Sequence, residues 1–128
     1  MPEITSRVAV FIDGSNLFFK LRSLEFNLLN LTKFDYRGFS KWLANDRPIV
    51  YCGYYVGAVR AKENLCDVAI LVSSDTDLIP AIQKVKHLGK KVEYIGFLHQ
   101  PSYGLKRYAS FSKFITKEEL EPFSWKQN

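Results

Sequence analysis

The stretch that narrows the choice of fold furthest runs from Asp67 to Lys86, Asp-Val-Ala-Ile-Leu-Val-Ser-Ser-Asp-Thr-Asp-Leu-Ile-Pro-Ala-Ile-Gln-Lys-Val-Lys. Val68 to Val72 is an unbroken apolar run rich in β-branched residues. That is the pattern of a strand buried on both faces, as in a parallel sheet. Ser73 and Ser74 follow, then two carboxylates one residue apart, Asp75 and Asp77. Leu78, Ile79, Ile82 and Val85 recur at helical spacing, and Pro80 fits only a first turn. The unit is strand, acidic turn, helix. In an open α/β sheet, ligands sit outside the carboxyl ends of the strands, where this turn falls.

A second stretch has the same grammar. Arg7 to Ile12 is apolar and β-branched, Asp13-Gly14-Ser15-Asn16 is a turn, and Leu17, Phe18, Leu21 and Leu24 follow at helical spacing. If the two strands are parallel neighbours, Asp13, Asp75 and Asp77 meet at one rim. Converging carboxylates repel unless a cation neutralises them. Oxygen-only ligands suit Mg²⁺ or Mn²⁺.

The remaining segments extend the alternation. Strand 1 is expected over Val8 to Asp13 and its helix over Ser15 to Leu24, with Phe26 to Phe34 an anchored loop. Asp35 reads as the N-cap of a helix bearing Tyr36, Phe39, Trp42 and Leu43, ended by Asn45 to Pro48. Strand 2 is expected over Ile49 to Val56, and the helix after Asp77 runs to about Leu88, where Gly89 stops it. Strand 4 is expected over Lys91 to Phe97. Ser102 caps a short helix over Tyr103 to Ala109, Lys113 to Thr116 forms a fifth strand, and Thr116 to Glu119 has capping-box spacing before a last turn to Pro122. Strands alternating with helices imply a Rossmann-like α/β/α sandwich around a mainly parallel sheet of about five strands.

The 128 residues and 47% apolar composition fit one domain with one core. No run is long enough to span a membrane, and no signal-peptide pattern precedes Arg7. Cys52 and Cys66 read as small buried hydrophobes in a reduced cytoplasm, not as a disulfide. Parallel strands need a crossover of a dozen or more residues. Gly57 to Cys66 is too short to build one around a helix, so a segment is expected to be absent between about Arg60 and Asn64.

Val10 to Asn16, Tyr54 to Gly57, Asp67 to Leu78 and Gly89 to Glu93 together resemble the NYN-domain family of PIN-like nucleases, with the LabA-like bacterial branch nearest. The resemblance runs from Val8 to about Ile115. It implies divalent-metal-dependent cleavage of RNA, single-stranded or structured; the cysteines make a cytoplasmic protein the expectation, and a homodimer is among the expected assemblies. It makes Asp13 and Asp75 metal ligands, Asn16 their polar partner, and Asp77 a support through water. Two departures stand out. The family's Lys-Gly-Val-Asp motif, a source of another carboxylate, is missing where the segment is expected to be absent. Where the family has an Asp before its last strand, this chain offers Ser110 or Ser112.

Each residue has a plainer role to set beside this one. Asp13 is also a turn residue, and Asn16 is also a helix-start cap. Asp77 reads more readily as an N-cap than as a ligand. Asp67 starts its strand at the far end and is rejected. Ser15, Ser73 and Ser74 either bond phosphate oxygens or satisfy the turns. Lys84, Lys86, Lys90 and Lys91 belong to a solvated helix end. Lys20, Arg22, Arg60, Lys106 and Arg107 follow strand ends and are the better candidates for nucleic acid, with Tyr103 and Tyr108 as stacking surfaces. The net charge of +5 agrees with a polyanionic partner without requiring one. A binding module with a weakened site is the competing function. A topoisomerase-primase-like domain also pairs a strand-end acid with Asp-x-Asp, but its first acid is normally Glu.

Overall fold

The computed structural model describes residues 6–24, 34–54 and 66–124. Arg60 and the expected break near residues 60–64 lie outside them, as do residues 26–33 of the expected Phe26 to Phe34 loop and the end of strand 2 at Val56. Five strands form one sheet: β1 (Val8–Ile12), β2 (Ile49–Tyr54), β3 (Val68–Val72), β4 (Lys91–Phe97) and β5 (Phe111–Ile115). All neighbouring pairs are parallel, in the order β2-β1-β3-β4-β5. Among the described residues five helices accompany them: α1 (Gly14–Ser23), α2 (Tyr36–Ala44), α3 (Ile79–His87), α4 (Tyr103–Tyr108) and α5 (Lys117–Leu120).

β1 and β3 are buried at every position, as an apolar run without alternation requires. Successive residues feed opposite layers. Val8, Val10, Ile12, Val68, Ile70 and Val72 pack with α1, α2 and α5, through Leu17, Leu21, Phe39, Leu43 and Leu120. Ala9, Phe11, Ala69 and Leu71 face the other way, toward α3 and α4, meeting Ile82, Val85 and Leu105. The result is the expected three-layer sandwich. The first layer also holds an aromatic knot of Phe34, Phe39, Trp42 and Phe123, with ring centroids 5.5 to 6.4 Å apart.

The ends of the elements follow local chemistry. The Asp35 carboxylate accepts from the Gly38 amide and caps α2, Gly89 adopts φ +83° just past α3, and Thr116 with Glu119 completes a capping box on α5. Two expectations need correction. β5 begins at Phe111 instead of Lys113, on an edge strand whose first residue is exposed and so lacks an apolar signal. Cys52 is exposed, because β2 is also an edge strand; Cys66 is buried as expected. The pairing of β2 with β1 shifts at Val50, so that Val8 meets Ile49 but Ala9 meets Tyr51. This bulge lets Ile49 pack with the α2 layer while the Tyr51 ring lies 5.4 Å from Phe11 on the other face.

One ion pair is partly sheltered. Arg47 donates to both carboxylate oxygens of Glu93 on β4, at 2.6 and 2.9 Å, and to the carbonyls of Leu43 and Ala44. It thereby closes the carboxyl end of α2 and ties it to the sheet. The Glu93 bond raises the guanidinium pKa against the lowering effect of burial.

Candidate active site at the carboxyl rim

The strand order makes β1 and β3 neighbours, with β2 on one side of them and β4 and β5 on the other. Chain winding reverses between β1 and β3, so a crevice opens there beyond their carboxyl ends. In register, Ile12 stands beside Val72. The next residues, Asp13 and Ser73, therefore leave the sheet side by side, and the Asp13 amide still donates to the Val72 carbonyl at 3.0 Å.

Asp13 serves two elements. It is the N-cap of α1, its Oδ1 accepting from the Asn16 amide at 3.2 Å. The cap role considered for Asn16 thus belongs to Asp13. Its Oδ2 accepts from the Ser73 hydroxyl at 3.1 Å. A carboxylate at a helix N-terminus is stabilised by the exposed amides there, by about 0.3–1 kcal/mol. Asp13 is only 9% exposed, and each oxygen keeps capacity for a further partner.

Ser73, fully buried, also accepts from the Asp75 amide at 3.1 Å. Asn16 turns its side-chain oxygen to the Ser74 amide at 3.1 Å. Asp75 is exposed and caps a short 3-10 turn, Thr76–Leu78, its Oδ1 accepting from the Asp77 amide at 2.9 Å. This corrects the expectation for Asp77. The chain enters a 3-10 turn before α3, so the earlier carboxylate is the cap, and Leu78 at the head of α3 has no side-chain cap. Asp13, Asn16, Ser74 and Asp75 are thus held in one hydrogen-bonded cluster, with Ser73 as the joint. The Ser74 hydroxyl oxygen is buried beside it without a hydrogen-bond partner.

The donors here are carboxylate, amide and hydroxyl oxygens, which suit a hard cation. The convergence of Asp13, Asp75 and Asp77 is not found: among the described residues, no three Asp, Glu, His or Cys side chains lie close enough to hold a metal ion. Asp13, whose carboxylate is in the cluster, and Asp75, which joins it through its amide, would suit the looser style of Mg²⁺, which commonly takes one or two carboxylates, several waters and the substrate's phosphates.

The basic and aromatic residues are more dispersed. The Lys20 Nζ donates to Gln100 Oε1 at 2.7 Å, which ties α1 to the loop after β4, and burial lowers its pKa. One turn on, the Ser23 hydroxyl donates to the Lys20 carbonyl and lies 2.7 Å from His99 Nε2, so the imidazole is the donor of that pair. Lys106 and Arg107 occupy the last turn of α4, with the Lys106 Nζ 5.7 Å from the Phe114 ring centroid. That helix leads away from the rim toward Ser110, which pairs with Val92 near the amino end of β4. Neither Ser110 nor Ser112 stands at the acidic rim. Tyr103 is 71% exposed at the head of α4, whereas Tyr108 packs against the core. For Ser15 the backbone alone is described, as the second residue of α1. Asp67 lies at the opposite edge, paired with Arg7 at 3.2 Å, and that pairing lowers its pKa. One residue had no local signal in the sequence, Tyr94, whose hydroxyl accepts from the Ser102 amide and so joins β4 to the loop before α4.

Residues 56–118 match the NYN domain family. The matched stretch contains β3, β4 and β5 with Asp75 and Asp77, while Asp13 and Asn16 precede it. No curated protein matches the sequence. Among solved structures, a protein of unknown function from Vibrio parahaemolyticus RIMD 2210633 superposes with a TM-score of 0.67 at 15% identity, over 92% of this chain and 98% of that one. At that identity the likeness establishes the fold alone. Among the described residues, no helix is long and apolar enough to cross a membrane.

Proposed function

This chain carries an NYN domain, a PIN-like nuclease fold, and on that premise we propose that it is a divalent-metal-dependent endoribonuclease working at the crevice between β1 and β3. The observation that carries this reading is the joint at Ser73, which links Asp13 from the first strand with the Asp75 turn from the third. The Val-Ser-Ser-Asp-Thr-Asp strand end, with Ile-Asp-Gly-Ser-Asn on β1, supports the LabA-like bacterial branch, and the free cysteines agree with a cytoplasmic setting.

The roles follow from the hydrogen bonds. Asp13, anchored by the Asn16 amide and Ser73, and Asp75, anchored by its own 3-10 turn, would hold Mg²⁺ or Mn²⁺ between strand ends. When bound, such a cation supplies Lewis-acid polarisation of the scissile phosphate and a more acidic water for in-line attack. Asn16 has its oxygen engaged by the Ser74 amide, so its NH₂ group is the donor for a non-bridging phosphate oxygen. Ser74 and the first amides of α1, Ser15 included, lie where the phosphate backbone would pass. Lys20, with Lys106 and Arg107 further out, would extend the track along the RNA, and Arg60, outside the described residues, is a further candidate. A 3′-hydroxyl product and no covalent intermediate are expected.

The test is cleavage of a fluorogenic RNA with Mn²⁺, with an EDTA control. Asp13→Asn and Asp75→Asn should each abolish Mn²⁺-dependent cutting while circular dichroism shows an intact fold. Parental rates in the double variant would refute the mechanism. The exposure of Asp75, and the dispersal of the acidic groups, favour one second reading: an RNA-binding or protein-interaction module with weakened catalysis. Salt-dependent RNA binding without Mn²⁺-stimulated cleavage would select it. Size-exclusion chromatography reads the proposed homodimer.

A further inference from the structure

We propose that Lys20 and His99, braced by Gln100 and Ser23, form an anion subsite on this rim that holds a backbone phosphate of RNA next to the scissile one and takes up a proton as it does so. The naming of RNA as the ligand rests on the reading of the rim as a nuclease site.

Asn16, Lys20 and Ser23 are four and then three residues apart, so they line one face of α1, beside the buried stripe of Leu17 and Leu21. Each is bonded to a loop at the carboxyl ends of the strands. Asn16 Oδ1 accepts from the Ser74 amide, just after β3, at 3.1 Å. Lys20 Nζ donates to Gln100 Oε1 at 2.7 Å, and Ser23 Oγ lies 2.7 Å from His99 Nε2. His99 and Gln100 belong to the loop that leaves β4 at Phe97, and β4 is the neighbour of β3. The polar stripe on α1 therefore starts at the acidic cluster and ends at the His99 loop. Four residues of helix carry Lys20 about 6 Å along the axis from Asn16. That is about the separation of neighbouring phosphates on an RNA strand.

The donors left over at the far end suit an anion. The Lys20 ammonium has three protons, and Gln100 takes one. The Ser23 hydroxyl gives its single proton to the Lys20 carbonyl at 2.7 Å, so it accepts from His99 Nε2. A neutral imidazole has only that one proton, and its Nδ1 then carries a lone pair. An anion arriving at Nδ1 needs a proton there, drawn from solvent, and the imidazolium that results donates from both nitrogens. The ring is held edge-on to Phe97, centroids 6.2 Å apart at 75°. Neither cation is spoken for: the ion pairs among the described residues are at Arg7–Asp67, Arg47–Glu93 and Lys113–Glu119. Lys20 on α1 is the charge that acts on His99, and no described group of β4, β5 or α5 offsets it, in keeping with a lowered imidazole pKa before any anion binds. An opposite charge in contact favours the protonated ring by about ten-fold or more.

The measurement is NMR titration of the His99 ring protons, with binding constants, in metal-free buffer. Sulfate, whose charge is constant over the range, is the inorganic probe; a short RNA with a 5′-hydroxyl, which carries internal phosphates only, is the second. Each should move the His99 midpoint upward, and by reciprocity each should bind about ten-fold tighter near pH 5.5 than near pH 7.5. His99→Gln should abolish that pH dependence. Lys20→Met should weaken both probes and lower the slope of log affinity for RNA against log salt by about 0.7, whereas Lys20→Arg should keep the slope. A His99 midpoint unmoved by RNA, a pH dependence that survives His99→Gln, or an unchanged salt slope in Lys20→Met would overturn the proposal. So would a response to sulfate without one to RNA, because the backbone then does not reach the pair. None of these readings uses cleavage, so a chain that cuts no RNA with Mn²⁺ sinks the nuclease reading alone.

Discussion

Replacing Ser73 by alanine should loosen the rim more than any other single-atom deletion. The Ser73 hydroxyl is fully buried, donates to Asp13 Oδ2 at 3.1 Å and accepts from the Asp75 amide at 3.1 Å. A hydrogen bond to a charged group contributes about 1.5–3 kcal/mol and a neutral one about 1 kcal/mol, with an added cost when the abandoned partner is shielded from water. Asp13, at 9% exposure, is so shielded, whereas the Asp75 backbone lies near solvent and can regain a water. The expected loss is therefore about 2–4 kcal/mol, a large share of the roughly 5–15 kcal/mol that holds a domain of this kind together. With a urea slope of about 1–3 kcal/mol/M, the midpoint should fall by about 1 M or more, with the slope itself unchanged. Cleavage should fall as well, because the same oxygen ties the Asp13 carboxylate to the backbone of the turn that carries Asp75. A midpoint within about 0.3 M of the parent would mean that water replaces the hydroxyl freely, and the account of Ser73 as a joint would be wrong.

Arg47→Ala should cost about 2–4 kcal/mol, because it leaves Glu93 unpaired at 18% side-chain exposure and uncaps the end of α2; a double-mutant cycle with Glu93→Ala giving a coupling under about 0.5 kcal/mol would refute the pairing argument. His99 has its pKa lowered from 6.5, first by burial and then by the Lys20 charge. Its folded form resists protonation more than its unfolded form does. The contribution is thus fully present above 6.5 and is lost as pH falls through the lower folded value. His99→Gln should flatten the decline of the urea midpoint between about pH 7 and pH 5, and an unchanged slope would count against it.

What could be read in the sequence was what periodicity and caps encode. Val68 to Val72 announces a doubly buried strand because no polar residue interrupts it, and all five positions are buried. Asp35, Ser102 and the Thr116–Glu119 box were legible because an N-cap is a local bond between residues three apart. The limit of that logic shows at the acidic turn. Spacing alone cannot tell whether Asp75 or Asp77 caps, since the answer depends on a 3-10 turn that α3 grows from. The same limit hides Ser73's role and Tyr94 altogether. Neither bond is local: Ser73 meets Asp13 only because β1 and β3 are adjacent and in register, and Tyr94 reaches Ser102 only because Gly96 leaves its ring a path.

The order of strands thus matters more to the site than any motif does. Asp13 lies 60 residues from Ser73 along the chain, and nothing in either turn specifies the other. Had β2 inserted between β1 and β3, the same two acidic turns would stand about 10 Å apart, two strand spacings at roughly 4.8 Å each. A serine hydroxyl could not bridge that gap. The chemistry proposed for this rim therefore depends on the chain placing β3 on the far side of β1 from β2, at the point where winding reverses. A disulfide-scanning pair built at Val8 and Val68, which are register partners with no strand between them, would trap that order directly. Its failure to form under mild oxidation in the folded protein, beside a control pair on β3 and β4 that does form, would separate the two turns and remove the site.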